Sequence, residues 1–382
     1  MAVRKLTIFF LLLLLVSSIL VFLLRVKNEM VDFEVNYQAA KRLRLAETLY
    51  RVSDGHYQFK YMPFSAFLYL PLTLLPSSLA KAVWYGIVLL SSGLIFFLSL
   101  KLLHLDKNKS LTLGLLSFLI LARYFLREIQ LGQINALITL LFLLMVWRLV
   151  QERDFRRRQV AAGLFWGLAT ALKPYAAIFF PYFVLRKKGL ILTLGVVVLI
   201  LALLAPSLFY GLDGNFKVLS EWQSSLRAST PSLFASQDNI SIISFFTKWT
   251  GRQNLSLALY LIALAVLAIL ALFLLLRKTK TSEPMILECF LLLAFIPLVS
   301  PLGWDYTLLS SAPAVMLILS HFDKYRPFWK GILCLNFAVI ALSLYDLMGR
   351  EPYASFMSRS VITVNFMILI GYLAFLRIKG HA

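Results

Sequence analysis

Apolar runs long enough to cross a lipid bilayer recur along nearly the whole of this chain. An α-helix needs about 20 apolar residues to span the bilayer core, and helices are favoured there because they satisfy their backbone hydrogen bonds internally. Of the 382 residues, 60% are hydrophobic and 15% are charged, whereas a soluble domain carries about 25% charged residues. We therefore predict an all-α polytopic membrane protein that forms one domain over residues 1–382. About twelve transmembrane helices are predicted, near 6–24, 80–103, 110–124, 133–149, 159–172, 174–186, 189–209, 253–276, 285–299, 305–320, 328–346 and 360–377.

Some of these runs are too short for an ordinary crossing. The segment 62–76 is bounded by prolines, and we predict a juxtamembrane or re-entrant helix there. The runs 159–172 and 174–186 flank Lys173, and they predict either two crossings or one shallow hairpin. The first run, 6–24, follows basic residues as a signal peptide would, but it lacks a small-residue cleavage site, so we interpret it as a retained span.

The distribution of basic residues predicts the orientation in the membrane. The formal net charge is +20, and the lysines and arginines lie between alternate apolar runs, as in the loop 148–158, which is typical of cytoplasmic loops. We therefore predict cytoplasmic termini, no nucleic-acid partner, and a multi-pass protein of a bacterial inner or plasma membrane. The remaining polar segments then lie on the non-cytoplasmic face. They are a first external loop, 28–79, the turn 123–135, a second long external loop, 210–252, and the turn 300–305.

Two acids, Asp32 and Glu34, directly follow the first predicted span. A carboxylate at this position can take a proton from a hydroxyl group, as general-base catalysis requires. The two side chains would share one face of an extended segment and diverge on a helix. The alternative is that both are solvated acids at the end of a span.

Three cations are candidates for binding a phosphate group: Lys60, Arg127 and Lys173. Lys173 has apolar neighbours on both sides, and a lysine in such a place needs an anion or a water-filled cavity. A turn between two short helices is the alternative. Lys60 precedes the segment 62–76, where it would meet a lipid phosphate or extend its side chain to the membrane interface.

Four further residues are candidates for substrate binding. His56 lies in a turn of the first external loop, where a structural role is the alternative. Gln133 and Asn135 begin an apolar run, and polar groups within a membrane usually face a cavity; capping of the helix by Asn135 is the alternative. Asp305 follows a tryptophan at the end of another span.

The sequence predicts neither a metal site nor a cofactor. Cys289 and Cys334 both lie in apolar runs, so no disulfide framework and no CxxC metal site is present. Gly-rich phosphate loops of the P-loop type are absent as well.

Several motifs together resemble the polyprenol-phosphate-mannose-dependent enzymes of glycosyltransferase family 87. The resemblance extends over nearly the whole chain. It is carried by DFEVNYQAAKRL, LYRVSDGHYQFKYMPFSAFLYLPLTLLP, LGQINALITLL, ALKPYAAIFFPY and SPLGWDYTL.

This resemblance implies a GT-C fold with its active site on the non-cytoplasmic face. It implies inverting transfer of a hexose, typically mannose, from a polyprenyl phosphate carrier to an acceptor hydroxyl group. The family's general base corresponds to Asp32. One departure concerns the segment after the SP-x-x-W element: the family pattern has a histidine there, and this chain has Asp305 and Tyr306.

Two other classes of function compete with an enzyme. A transporter or flippase of a lipid-linked sugar would show two matched halves and polar residues near the middle of the membrane, whereas the polar groups here converge on one predicted face. A structural subunit of an envelope assembly would not need Asp32 together with a phosphate-binding lysine. The acceptor, a lipid glycan, a polysaccharide or a protein, is left open by the sequence, and membrane lipid is an expected partner in each case.

Overall fold

A computed structural model of the chain describes residues 16–277 and 284–380. Within these ranges the regular structure is helical. The longer helices are α1 (Val31–Arg44), α2 (Ser77–Leu102), α3 (Lys107–Leu131), α4 (Asn135–Gln151), α5 (Phe155–Leu172), α6 (Phe179–Leu185), α7 (Gly189–Leu204), α8 (Ser207–Ser229), α9 (Ile242–Thr250), α10 (Gln253–Leu276), α11 (Pro284–Val299), α12 (Ala312–Ser320), α13 (Pro327–Leu342), α14 (Arg350–Ser358) and α15 (Val361–Lys379). Shorter elements are a π-helix at Phe22–Val26, α-turns at Lys27–Glu29 and Tyr345–Met348, and 3₁₀ helices at Val52–Tyr57, Pro63–Leu74, Pro174–Ile178, Pro231–Leu233, Asp305–Ser311 and Phe322–Lys324.

Several of the described helices are apolar enough for a membrane environment, as the composition predicts. By length and hydropathy, α2, α3, α10 and α15 are candidate spans, and α7 with α8 would add a fifth if this bent pair is one span. Six further apolar helices have only 10–17 residues. These observations agree with a polytopic membrane protein, although fewer full-length spans are found than the twelve predicted. The predicted span 6–24 begins outside the described residues and is helical from residue 16 onward.

Proline explains two of the shortened spans. The predicted span 174–186 divides into the 3₁₀ helix Pro174–Ile178 and α6, and the predicted span 305–320 divides into the 3₁₀ helix Asp305–Ser311 and α12. Pro181 and Pro313 lie in the first turn of α6 and of α12, where the two divisions occur. Because proline has no backbone N–H, it is tolerated at that position and disrupts a continuous helix.

The segment 210–252 differs from the long loop that the sequence predicts. Most of it is helical, because α8 extends from residue 207 and makes an angle of 89° with α7. Gly211 permits a break in α8 with its left-handed φ of 68°. The helix α9 lies within this segment as well, and the Ser241 hydroxyl caps it by accepting a bond from the Ser244 N–H at 3.2 Å.

The chain packs so that the N-terminal end of α1 meets the turn between α3 and α4. The 3₁₀ helix Pro63–Leu74 packs along α1, and the Trp84 indole donates to the Gly132 carbonyl at 2.8 Å. Gly132 has a φ of 69°, and a Cβ atom there would lie 2.7 Å from the Phe33 Cβ. Glycine is therefore required both by the backbone conformation and by the close approach of α1.

A second close approach holds the segment 238–240 against the turn 300–305. The Ile240 N–H donates to the Gly303 carbonyl at 2.7 Å, and the Asp305 N–H donates to the Asp238 carbonyl at 3.1 Å. A Cβ atom on Gly303 would lie 1.9 Å from the Pro297 carbonyl oxygen. These contacts bring Asp238 and Asp305 together, next to the buried helix α11 at the centre of the protein.

Candidate functional site

Asp32 lies in the first turn of α1 and contacts the amide of Gln133. The Gln133 Nε2 donates to Asp32 Oδ2 at 2.7 Å and approaches the Tyr306 hydroxyl at 3.1 Å. The Tyr61 hydroxyl donates to the Gln133 Oε1 at 3.0 Å. Gln133 is buried while Asp32 is half-buried, so an internal amide, held by two tyrosines, orients a carboxylate that is partly accessible.

The surroundings of Asp32 raise its pKa above the usual value. Burial is the main cause, because it disfavours the charged carboxylate. The hydrogen bond from Gln133 opposes this effect, followed by the positive charges of Lys173, Arg127 and His56. The Asp32 carboxylate therefore holds a proton more strongly than an exposed aspartate does, which makes it a better general base once it is ionised.

Lys173 lies at the break between α5 and the 3₁₀ helix Pro174–Ile178. Its Nζ donates to the Asn135 Oδ1 at 2.7 Å and lies 4.9 Å from the centre of the Tyr61 ring. The Tyr175 hydroxyl donates to the same Asn135 oxygen at 3.1 Å. An ammonium group has three protons to donate, so Lys173 retains the capacity to bind an anion beside Tyr61.

Asn135 is held by Glu128, which sequence reasoning did not select as a candidate. The Glu128 carboxylate is buried and accepts from the Asn135 Nδ2 and from the Ala136 N–H, both at 2.8 Å. Glu128, from the end of α3, therefore caps α4, and the Asn135 side chain does not. The alternative that Asn135 caps the helix is therefore wrong, and its amide oxygen accepts from Lys173 instead.

Two arginines and two aspartates form a second part of the site. Arg123 donates to Asp305 Oδ2 at 2.7 Å, and Arg127 donates to Asp238 Oδ2 at 2.6 Å. The Arg127 Nε lies 3.4 Å from the other Asp305 oxygen. Arg123 also contacts the Tyr353 hydroxyl and the Ser343 carbonyl. Asp305 is fully buried. Because its two oxygens contact Arg123 and Arg127, this carboxylate holds both arginines in place.

A comparison with known protein families matches residues 59–301 of this chain to glycosyltransferase family 87. The match covers more than half of the sequence. The chain belongs to glycosyltransferase family 87. The predicted family is thereby confirmed. No curated protein and no solved structure matches the chain.

Membership of the family makes this protein a glycosyltransferase, with a sugar donor and an acceptor. The segment matched to family 87 contains Lys60, Arg127, Gln133, Asn135 and Lys173. It excludes Asp32, which joins the site through its contact with Gln133. The structure therefore connects a residue outside the matched segment to several residues inside it.

Lys60 lies near this site in the chain but has a different environment. Its Nζ has no hydrogen-bond acceptor and no carboxylate partner among the described residues, and burial lowers its pKa. The Trp222 indole donates to its main-chain carbonyl at 3.1 Å, which fixes the backbone. A half-buried cation without an acidic partner is a suitable ligand for an anion.

Two of the predicted site residues lie apart from the Asp32–Gln133 contact. Glu34 accepts from Gln38 at 2.7 Å and lies 3.7 Å from Lys81. Because α1 is helical, residues two positions apart diverge by about 200°, and Glu34 does not join Asp32. His56 is exposed in the 3₁₀ helix Val52–Tyr57, although its charge influences Asp32.

Sequence reasoning did not assign site roles to Tyr61, Tyr306, Arg123 or Asp238. Asp238 pairs with Arg127. A buried cation predicts that an acid lies nearby, but only the fold determines which one. Among the described residues, no group of three or more metal-ligating side chains is found.

Proposed function

We propose that this glycosyltransferase transfers a hexose, mannose in the first instance, from a polyprenyl phosphate donor to an acceptor hydroxyl group. The reaction inverts the anomeric centre, and Asp32 is the general base. The proposal includes a GT-C fold with about twelve spans and a site on the non-cytoplasmic face. Family membership supports a sugar transfer, and the finer assignments rest on the residues around Asp32.

One observation carries the proposal: a half-buried carboxylate, Asp32, and a buried lysine, Lys173, lie on either side of Gln133 and Tyr61. Gln133 contacts Asp32 at 2.7 Å and Tyr61 at 3.0 Å, and the Tyr61 ring lies against the Lys173 ammonium at 4.9 Å. Transfer from a sugar phosphate needs a base for the incoming hydroxyl group and a positive charge for the departing phosphate.

The reaction then proceeds in one displacement. The acceptor oxygen attacks the anomeric carbon while Asp32 takes the hydroxyl proton. The bond from the anomeric carbon to the phosphate oxygen breaks, and its electron pair leaves with the polyprenyl phosphate. Attack on the side opposite the leaving group inverts the configuration, and the Lys173 ammonium stabilises the negative charge that grows on the phosphate.

The three candidate cations differ in their fitness to bind that phosphate. Arg127 has two carboxylates beside it, Asp238 and Asp305, which already neutralise its charge. Lys173 has one neutral amide oxygen as its acceptor, and Lys60 has no acceptor among the described residues. We therefore assign the phosphate to Lys173 and Lys60, and we assign a supporting role to the Arg127 cluster.

The assay for this function uses membranes that contain the protein and a radiolabelled polyprenyl phosphate mannose. We expect label to move from the lipid donor to a second molecule, and we expect Asp32→Asn membranes to leave the donor intact. Label that crosses the membrane while still attached to its lipid would indicate a flippase. A donor that is neither consumed nor moved would contradict the proposal.

The proposed orientation has a separate test. Single cysteines at Ser53 and Ser229 should react with an impermeant reagent added to intact cells, and a cysteine at Arg156 should not. Arg156 lies in the basic first turn of α5, which we assign to the cytoplasm. Labelling at Arg156 from outside would reverse the arrangement.

A further inference from the structure

A buried carboxylate and a buried ammonium group of the candidate site are separated by a single amide. Glu128 is 0% exposed and Lys173 is 7% exposed, and neither forms an ion pair among the described residues. The Asn135 side chain lies between them, because its Nδ2 donates to Glu128 Oε2 at 2.8 Å and its Oδ1 accepts from the Lys173 Nζ at 2.7 Å. Since buried charges are normally paired directly, the interposed amide indicates that Lys173 is kept for another anion.

Glu128 determines which end of the Asn135 amide faces Lys173. An asparagine side chain has a donor end and an acceptor end of nearly the same shape, so its partners decide its orientation. An ionised carboxylate only accepts hydrogen bonds, and both Glu128 oxygens are used, one by the Asn135 Nδ2 and one by the Ala136 N–H. The oxygen of the Asn135 amide is therefore turned to the ammonium group.

The contacts of Lys173 fix its position and leave its charge uncompensated. The Asn135 oxygen takes one of the three ammonium protons. The Lys173 Nζ also lies 4.9 Å from the centre of the Tyr61 ring and 5.7 Å from the centre of the Tyr175 ring. The Tyr175 hydroxyl donates to the same Asn135 oxygen at 3.1 Å. A cation that is oriented by neutral groups is already in place when an anion arrives.

We propose that Glu128 is a positioning residue for the phosphate group of the donor and that it acts through the Asn135 amide. The inference rests on the proposed function, in which Lys173 binds that phosphate, and it adds a residue that does not contact the substrate. Loss of the orientation should weaken donor binding. Loss of the Glu128 charge alone would instead strengthen the attraction between Lys173 and the phosphate, so the two effects have opposite signs.

The first test is Glu128→Gln in the full-length protein, in phosphatidylglycerol and phosphatidylcholine vesicles. A glutamine amide donates as well as accepts, so the Asn135 side chain can turn over and present its NH2 group to Lys173. We expect the KM for radiolabelled polyprenyl phosphate mannose to rise by about three- to ten-fold, with a smaller fall in kcat. An unchanged or lower KM would overturn the proposal.

A double-mutant cycle with Asn135→Ala distinguishes positioning from helix capping. Glu128 also accepts from the Ala136 N–H, and this cap on α4 is retained in the Asn135→Ala protein. If Glu128 acts through Asn135, Glu128→Gln should change the donor KM by less than about two-fold in the Asn135→Ala background. Equal changes in both backgrounds would overturn the proposal, because capping alone would explain them.

Two further variants control for effects on folding. Glu288→Gln also neutralises a buried glutamate, but that glutamate pairs with Arg186 and Arg377. It should lower the thermal unfolding temperature and leave the KM for the donor unchanged. Asn135→Ala by itself should raise the donor KM at least as much as Glu128→Gln. If Glu128→Gln does not fold, an unchanged donor KM in Asn135→Ala would still overturn the proposal.

A binding measurement separates this proposal from the proposed function. Isothermal titration calorimetry with polyprenyl phosphate, the leaving group, requires no turnover. Weaker binding in Glu128→Gln than in the wild type, together with a wild type that transfers no mannose, would support the positioning role and contradict the proposed reaction. Transfer by the wild type, with equal binding of polyprenyl phosphate by both proteins, would support the reaction and overturn the positioning role.

Discussion

Two carboxylates in this protein, one buried and one half-buried, have opposite surroundings. Glu288, on α11, accepts from Arg186 Nε at 3.2 Å and from Arg377 at 2.9 Å. Asp32 accepts from an uncharged amide, Gln133, and its nearest cations act only at a distance. The charge of Glu288 is thus matched directly by two arginines, whereas the charge of Asp32 is not.

This difference separates a structural charge from a reactive one. Arg186 also donates to the Leu275 carbonyl and Arg377 to the Arg277 carbonyl, so Glu288 connects the ends of α6, α10, α11 and α15. Asp32 is held in place by a neutral amide, whose hydrogen bond lowers the pKa of Asp32 by less than burial raises it. A carboxylate that is paired directly with arginines, such as Glu288, therefore favours stability of the fold. A carboxylate without such a pair, such as Asp32, is better suited to catalysis.

The largest effect is expected for Asp32→Asn. The amide keeps the size of the side chain and a hydrogen bond to Gln133 but cannot take a proton. Because general-base assistance contributes about 10²- to 10⁴-fold, we expect kcat to fall by about that factor, as measured by release of labelled hexose from the donor. Glu34→Gln is the matched control, and it should lose far less activity because Glu34 faces Lys81.

The same substitution should not destabilise the fold. The pKa of Asp32 is raised in the folded protein, so the stability linked to its protonated form is complete at low pH. That stability is lost as the pH rises through the folded-state pKa. At neutral pH the ionised carboxylate therefore costs stability, and thermal unfolding of Asp32→Asn should occur at the same temperature or higher. A clear loss of stability would place Asp32 in the same class as Glu288.

Glu288→Gln should show the reverse pattern. Removing one partner of a buried ion pair typically costs about 3–5 kcal/mol, since Arg377 and Arg186 would lose their carboxylate. We expect a lower thermal unfolding temperature in detergent and a nearly unchanged kcat per folded molecule. A folded Glu288→Gln protein with collapsed turnover would contradict the division between the two carboxylates.

The fold was predictable wherever one apolar run makes one helix. The predicted spans 80–103 and 253–276 agree closely with α2 and α10. The helix in 207–229 was missed because its polar and small residues resemble a loop, and its stability comes from packing. Trp222, for example, donates to the Lys60 carbonyl, a contact between residues 162 positions apart.

Some of the residues of the candidate site were predictable from the sequence, but their pairing was not. Gln133, Asn135 and Lys173 were selected because polar residues in apolar surroundings need partners, and the structure brings them together with Asp32. Which acid meets which base depends on contacts across the chain, such as Arg127 with Asp238. Local sequence cannot encode these pairs, because helix packing determines them.

Lys173→Ala tests whether the cation beside Tyr61 binds the donor. A hydrogen bond to a charged group contributes about 1.5–3 kcal/mol, so the KM for the polyprenyl donor should rise by about 10- to 100-fold. The KM for the acceptor should change less. Lys173→Arg should recover part of the loss, since the charge remains and the geometry changes. If the KM for the donor is unaltered, Lys173 does not bind the donor and only forms part of a turn.

The smallest effect is expected for Gln133→Met, and it concerns the pH dependence. The Gln133 N–H stabilises the ionised form of Asp32 and lowers its pKa. Removing this bond should raise that pKa, so the acidic limb of the kcat/KM profile should move to higher pH by about one unit. Activity at alkaline pH, where Asp32 is ionised in both proteins, should fall less than activity at acidic pH.

Tyr306→Phe sharpens this last prediction because Tyr306 contacts Gln133 and has no direct bond to Asp32. If Gln133 acts by stabilising the Asp32 carboxylate, the acidic limb should move in the same direction and by less than in Gln133→Met. An equal loss of kcat/KM at every pH in both variants would mean that Gln133 serves packing or sugar binding alone. In that case Lys173 and Arg127 alone would stabilise the ionised form of Asp32. Asp32 would then differ from Glu288 only in the distance between the carboxylate and the nearest cation.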